Sequence, residues 1–128
     1  MKFRGTLVRP LSDQADRDGL LIDPAGVQFI EGRDYPLLAE FDYAKPLGYA
    51  VVSRADDGSL TAAGAIVYAE GEAVAGLRLA AGIAFDPADA MTGTHGRVVS
   101  SCRLNAVALT ASHSDPGQPP IERVEEND

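Results

Sequence analysis

Apolar and polar positions alternate in short runs along this chain, and Gly, Pro and Asp interrupt them every few residues. Phe3–Val8 predicts a first strand, ended by Pro10, because proline donates nothing to a ladder. Ser12–Gly19 reads as a polar turn and Leu20-Leu21-Ile22 as a short strand. Asp23–Phe29 predicts a short helix, with Asp23 as N-cap and Pro24 at the first helical position. Glu31–Asp34 is a loop. Leu37–Phe41 and Leu47–Arg54 predict two strands, with Pro46 and Gly48 supplying the turn between them. Asp56-Asp57-Gly58-Ser59 predicts a hairpin turn that returns the chain along Leu60–Tyr68.

The second half is more apolar and made of smaller residues. Gly71–Leu79 predicts a short helix, weakened by Gly76. Ala80–Phe85 suits a buried strand packed closely by its neighbours. Asp86–Gly96 is loop, and Arg97–Cys102 and Leu104–Thr110 predict the last strands. Beyond His113 the run Ser114–Pro120 breaks all periodicity and reads as a mobile, polyproline-like arm. The fold class is therefore mainly β (α+β): a small antiparallel β-barrel with one or two short helices and an extended C-terminal arm. Residues 1–113 form the domain and residues 114–128 the arm.

Length and composition narrow the function classes. A chain of 128 residues makes one domain with one core. With 45% hydrophobic and 23% charged residues it has an ordinary globular composition. No apolar run is long enough to span a membrane, and Met1–Gly5 shows no signal-peptide pattern. The net charge is −8, half of it on Ser114–Asp128, and no Lys/Arg run offers a nucleic-acid surface. Cys102 is the single cysteine, so no intrachain disulfide forms; in an apolar strand it reads as a small buried hydrophobe.

Candidate chemistry is sparse. Asp16, Asp18 and Gly19 fit three positions of a calcium loop. Gln14 and Ala25 then stand where that loop needs an acid and a bidentate Glu, so a solvated turn is the better reading. Thr92–Gly96 lacks the Gly-Lys-Ser/Thr ending of a phosphate loop. His95 and His113, the two histidines, have Ser100, Ser101, Cys102, Ser112 and Ser114 near them in sequence. They make no zinc spacing and read as exposed loop or strand-end residues. No metal or cofactor is expected.

The block Pro36–Gly48 resembles one in the phage prohead maturation proteases, relatives of the herpesvirus assembly proteases. There a His-Asp pair precedes a stretch ending in Pro-hydrophobic-Gly; here Phe41-Asp42 and Pro46-Leu47-Gly48 occupy those places. Phe3–Val8, Asp13–Asp18 and Pro24–Phe29 are similar to the family's first strand, acidic loop and short helix. Leu79-Ala80-Ala81-Gly82-Ile83 is similar to the run that carries the serine nucleophile. Leu104–Thr110 is similar to the strand that carries the third catalytic residue. The resemblance implies that Phe41, Ala80 and Ala106 replace the triad and should lie close together. Acyl transfer needs a nucleophile, a base and a group to orient the base, and these three side chains supply none.

The expectation is a non-enzymatic relative, retained as a structural protein of the phage virion and assembled in the host cytoplasm. It would bind the major capsid protein to decorate or stabilise the shell, as a homo-oligomer, with no nucleic-acid or membrane partner. The alternatives are a divergent active maturation serine protease and an internal capsid assembly factor. A bacterial ligand-binding barrel unrelated to phages is a further one.

Overall fold

The computed structural model describes residues 1–14, 21–67, 79–92, 98–111 and 117–124. Eleven strands are formed among them: β1 (Lys2–Val8), β2 (Leu21–Ile22), β3 (Val27–Gln28), β4 (Tyr35–Ala39), β5 (Asp42–Arg54), β6 (Leu60–Ile66), β7 (Ala80–Ala84), β8 (Met91–Thr92), β9 (Val98–Arg103), β10 (Ala106–Thr110) and β11 (Glu122–Val124). The main sheet has the order β11-β1-β6-β5-β4-β10-β7 and curls into a half-barrel. All its neighbours are antiparallel except β4 and β10. The mainly β fold class expected from the alternating runs is what forms.

The core lies inside the curl. Alternate side chains of β1, β5 and β6 point inward, and Phe3, Leu7, Leu47, Val52, Leu60 and Ile66 meet there. β7 and β10 are buried on both faces, as their runs of small apolar residues predict. Ile83, Val107 and Leu109 join the main core. Ala84, Ala106 and Ala108 point the other way and pack with Leu38 in a second, smaller cluster.

A second, smaller sheet is built around β9. Leu21–Ile22 runs parallel to Val98–Val99, and Val27–Gln28 parallel to Cys102–Arg103, with β8 antiparallel. Residues 21–28 thus track β9 in two steps. The helix expected over Asp23–Phe29 shrinks to one 3-10 turn, Pro24–Gly26. Asp23 caps it as predicted, accepting from Ala25 N–H. It ends because β-branched Val27 pairs with Cys102, which holds it in extended backbone. Gly26 passes so close to β9 that a Cβ would stand 1.7 Å from the Ser100 carbonyl oxygen.

Two further expectations are corrected. The turn placed at Pro46–Gly48 is at Glu40–Phe41, and β5 runs straight through the proline and the glycine. Pro46 is tolerated because it lies at a bulge: Leu38 pairs with Pro46 and Ala39 with Asp42, which inserts Tyr43, Ala44 and Lys45 opposite one step of β4. The Asp56–Ser59 hairpin forms as read, with Ser59 N–H and Oγ both donating to Asp57 Oδ1. Tyr68, and the helix expected over Gly71–Leu79 except for Leu79, lie outside the described residues.

The segment expected as a mobile arm is the second correction, in residues 117–124. β11 pairs with β1, setting Glu122 beside Arg4 and Val124 beside Lys2. Just before it, Ile121 N–H donates to Leu79 O, next to β7. The Gln118 amide donates to Thr6 O and Leu7 O on β1 and to Ala81 O on β7. The segment is thus a stave between the two ends of the curled sheet. Gly5 leaves it room, since a Cβ there would stand 2.9 Å from Ile121 Cγ2. Pro119 and Pro120 break sequence periodicity without preventing extended backbone, which is why the sequence reads as an arm.

Candidate functional site

Phe41, Ala80 and Ala106 do not converge. Ala80 pairs with Thr110 and Ala84 with Ala106, so Ala80 and Ala106 sit at opposite ends of the β7–β10 ladder. Four residue steps of strand separate Thr110 from Ala106, about 14 Å. Ala106 is fully buried in the small cluster with Leu38, Ala84 and Ala108. Phe41 lies in the β4–β5 turn and is 44% exposed. That turn and Ala80 flank Thr110 at one end of the sheet, because Ala39 is registered with Leu109. A triad with Ala106 as its third member therefore lacks the geometry the resemblance implies.

What occupies this corner is a carboxylate latch. Glu40 Oε2 accepts from Thr110 Oγ1 at 2.6 Å, and Oε1 accepts from Ala111 N–H at 2.8 Å. Glu40 N–H donates in turn to Leu109 O. Glu40 and Phe41 carry φ of 51° and 62°, the left-handed region that bulky residues avoid. Two such residues make the primed turn that suits strand twist, normally built from Asn-Gly. The latch holds the unfavourable sequence in that shape.

Chemically the corner holds a hydroxyl beside a carboxylate, but the pair is poorly suited to nucleophilic work. The Thr110 hydroxyl and the Ala111 N–H hold the Glu40 carboxyl below its ordinary value. A carboxylate so stabilised is a weaker base toward an alcohol. Thr110 itself is 2% exposed, so its oxygen is closed to a substrate. Sequence reasoning missed this pair because its partners are 70 positions apart and neither is singled out within the blocks that contain them.

The remaining candidates resolve separately. Gln14, placed first in the calcium-loop alignment, turns inward: its Nε2 donates to Arg9 O and Ile22 O, and its Oε1 accepts from Ile22 N–H. It ties the chain just after β1 to β2, with both ends of its amide engaged by backbone. Asp16, Asp18 and Gly19 lie outside the described residues, as do His95, His113, Ser112 and Ser114. Among the described residues no cluster of His, Cys, Asp or Glu could hold a metal. Cys102 is buried, and burial pushes its thiol upward, away from the reactive thiolate.

One cleft of about 430 Å³ opens on the outer face of β1 and β6. Thr6 and Thr61 line it, Pro119 and Pro120 wall it, and Arg4 and Glu122 pair at 3.3 Å beside it. Its charges are satisfied by each other. Set beside known proteins, the chain matches no family model, no curated protein and no solved structure.

Proposed function

We propose that this chain is a non-enzymatic structural protein of a phage virion that docks on the major capsid protein. The observation that carries the absence of chemistry is the corner at Ala80. Alanine stands where the resemblance places the nucleophile, and the neighbouring Thr110 hydroxyl is buried against an ionised Glu40. The assignment to a capsid rests on the order of sequence blocks from Phe3 to Thr110. The separation of Ala80 from Ala106 removes the triad from its support. A curled β-domain with solvent-facing Tyr43, Tyr49 and Val67 suits a binding role better than an enclosed reaction.

The test is to look for a major capsid gene beside the one for this chain, co-express the two products and sediment the assembled particles. The protein should travel with mature shells in a fixed ratio and leave the capsid protein uncut. A serine-directed phosphonate that labels the protein would return the active-protease alternative. Presence in precursor particles and loss on maturation would return the assembly-factor alternative.

A further inference from the structure

We propose that the slot between β1 and β7 accepts residues 117–124 of a second copy as readily as those of its own chain. This inference stands on the seam alone and not on the capsid reading.

The slot is shaped for one occupant. Gly5 makes room for Ile121, and one glutamine side chain, Gln118, reaches carbonyls on both walls. Ile121 N–H reaches Leu79 O on the far wall. An emptied slot leaves Thr6, Leu7, Leu79 and Ala81 without these donors, which is costly wherever water is excluded. Beyond these bonds the segment adds a three-residue ladder to β1 and an exposed ion pair, 68% and 70% accessible and worth little in water, so far less holds it than holds β1, β5 and β6 to one another. It therefore opens at much less cost than the barrel behind it. Two opened copies then present each other with an identical donor and an identical slot. Exchange between them loses no contact, which is the condition for strand swapping.

The register supplies the experiment. Arg4 and Glu122 are directly opposed, close enough for a disulfide. Full-length R4C and full-length E122C are mixed under mild oxidation, with buried Cys102 left in place. The expected result is a covalent R4C–E122C heterodimer, formed about a hundredfold faster than the collisional pair R4C with K45C, because a docked strand sits at mM effective concentration. The double variant R4C/E122C in one chain calibrates the chemistry by closing within itself. If it closes while the mixed single variants link no faster than the collisional pair, the slot takes only its own strand and the proposal is overturned. If the double variant does not close, the register itself is wrong and the proposal falls with it.

Discussion

Thr110 Oγ1 donates a 2.6 Å hydrogen bond to Glu40 Oε2 and so joins two residues 70 positions apart. The bond fastens the end of β10 to the β4–β5 turn, where Glu40 and Phe41 hold left-handed backbone. Its pH dependence follows from the lowered Glu40 value. A depressed carboxylate contributes stability that is fully present above the ordinary glutamate value of 4.5 and is lost as pH falls through the folded value. Glu40→Gln should cost about 1 kcal/mol at neutral pH, a modest figure because the carboxylate is largely in water. The gap between wild type and variant in urea midpoint should close toward pH 3. A gap that stays constant with pH would show that the ionised carboxylate is not the latch.

Phe41→Gly should stabilise the protein. Glycine takes positive φ freely, whereas a bulky residue there costs about 1–2 kcal/mol. The Phe41 ring is 44% exposed, so its removal sacrifices only part of a side chain's burial. A net gain of about 0.5–1 kcal/mol in equilibrium denaturation is expected. A loss of more than that would mean the ring is packed against something essential.

Rebuilding the protease pattern should damage the fold without creating activity. Ala106 is fully buried among apolar side chains, so Ala106→Glu places a carboxyl with no described partner there. A cost of about 3–5 kcal/mol is expected, enough to leave much of the protein unfolded. Ala80→Ser should be mild, since its strand partner is Thr110 and a hydroxyl fits near it. The triple variant Phe41→His/Ala80→Ser/Ala106→Glu should not react with a serine-directed phosphonate. Labelling of the triple variant would restore the triad.

Gln118→Ala should loosen the seam between β1 and β7. Its amide serves carbonyls of Thr6, Leu7 and Ala81, and losing it should cost about 2 kcal/mol. Amide exchange should quicken first at Ile121–Val124 and then along β1. If the variant exchanges like wild type, the C-terminal segment is an ornament and not a stave.

The Cys102 thiol should be silent toward Ellman's reagent in the native protein and react once on unfolding. It lies at 1% exposure on β9, with its thiol pushed upward by burial. The rate of labelling should track denaturant concentration. Prompt stoichiometric reaction without denaturant would place the sulfur at the surface.

The sequence is most legible where local chemistry decides. Asp57 and Ser59 make their hairpin with their own atoms, and Asp23 caps its turn two residues away. The continuous apolar runs from Ala80 and Ala106 announce their burial because a strand with no polar face has neither side suited to water. Legibility fails where a distant partner overrides the local signal. Pro46 reads as a turn, yet a bulge absorbs its missing N–H and β5 continues. Glu40-Phe41 carries no turn signature, yet Thr110 and Ala111 hold it in one. Gln118-Pro119-Pro120 reads as a free arm because its partners, Thr6 and Ala81, lie far off in sequence. The same limit explains the expected triad, since order along a chain does not fix which ends of two paired strands coincide.

The pairing of Lys2 with Val124 has a mechanical consequence. Both strand ends leave the barrel at the same place, so a tension drawn between them acts along the ladder's hydrogen bonds and not across the whole set at once. The seam would then part like a zip, from Val124 toward Gln118, one bond at a time and at low force. Tension entering through the Glu40 and Asp57 turns would load the broad β4-β5-β6 sheet instead. Any load carried through those turns leaves the two strand ends slack.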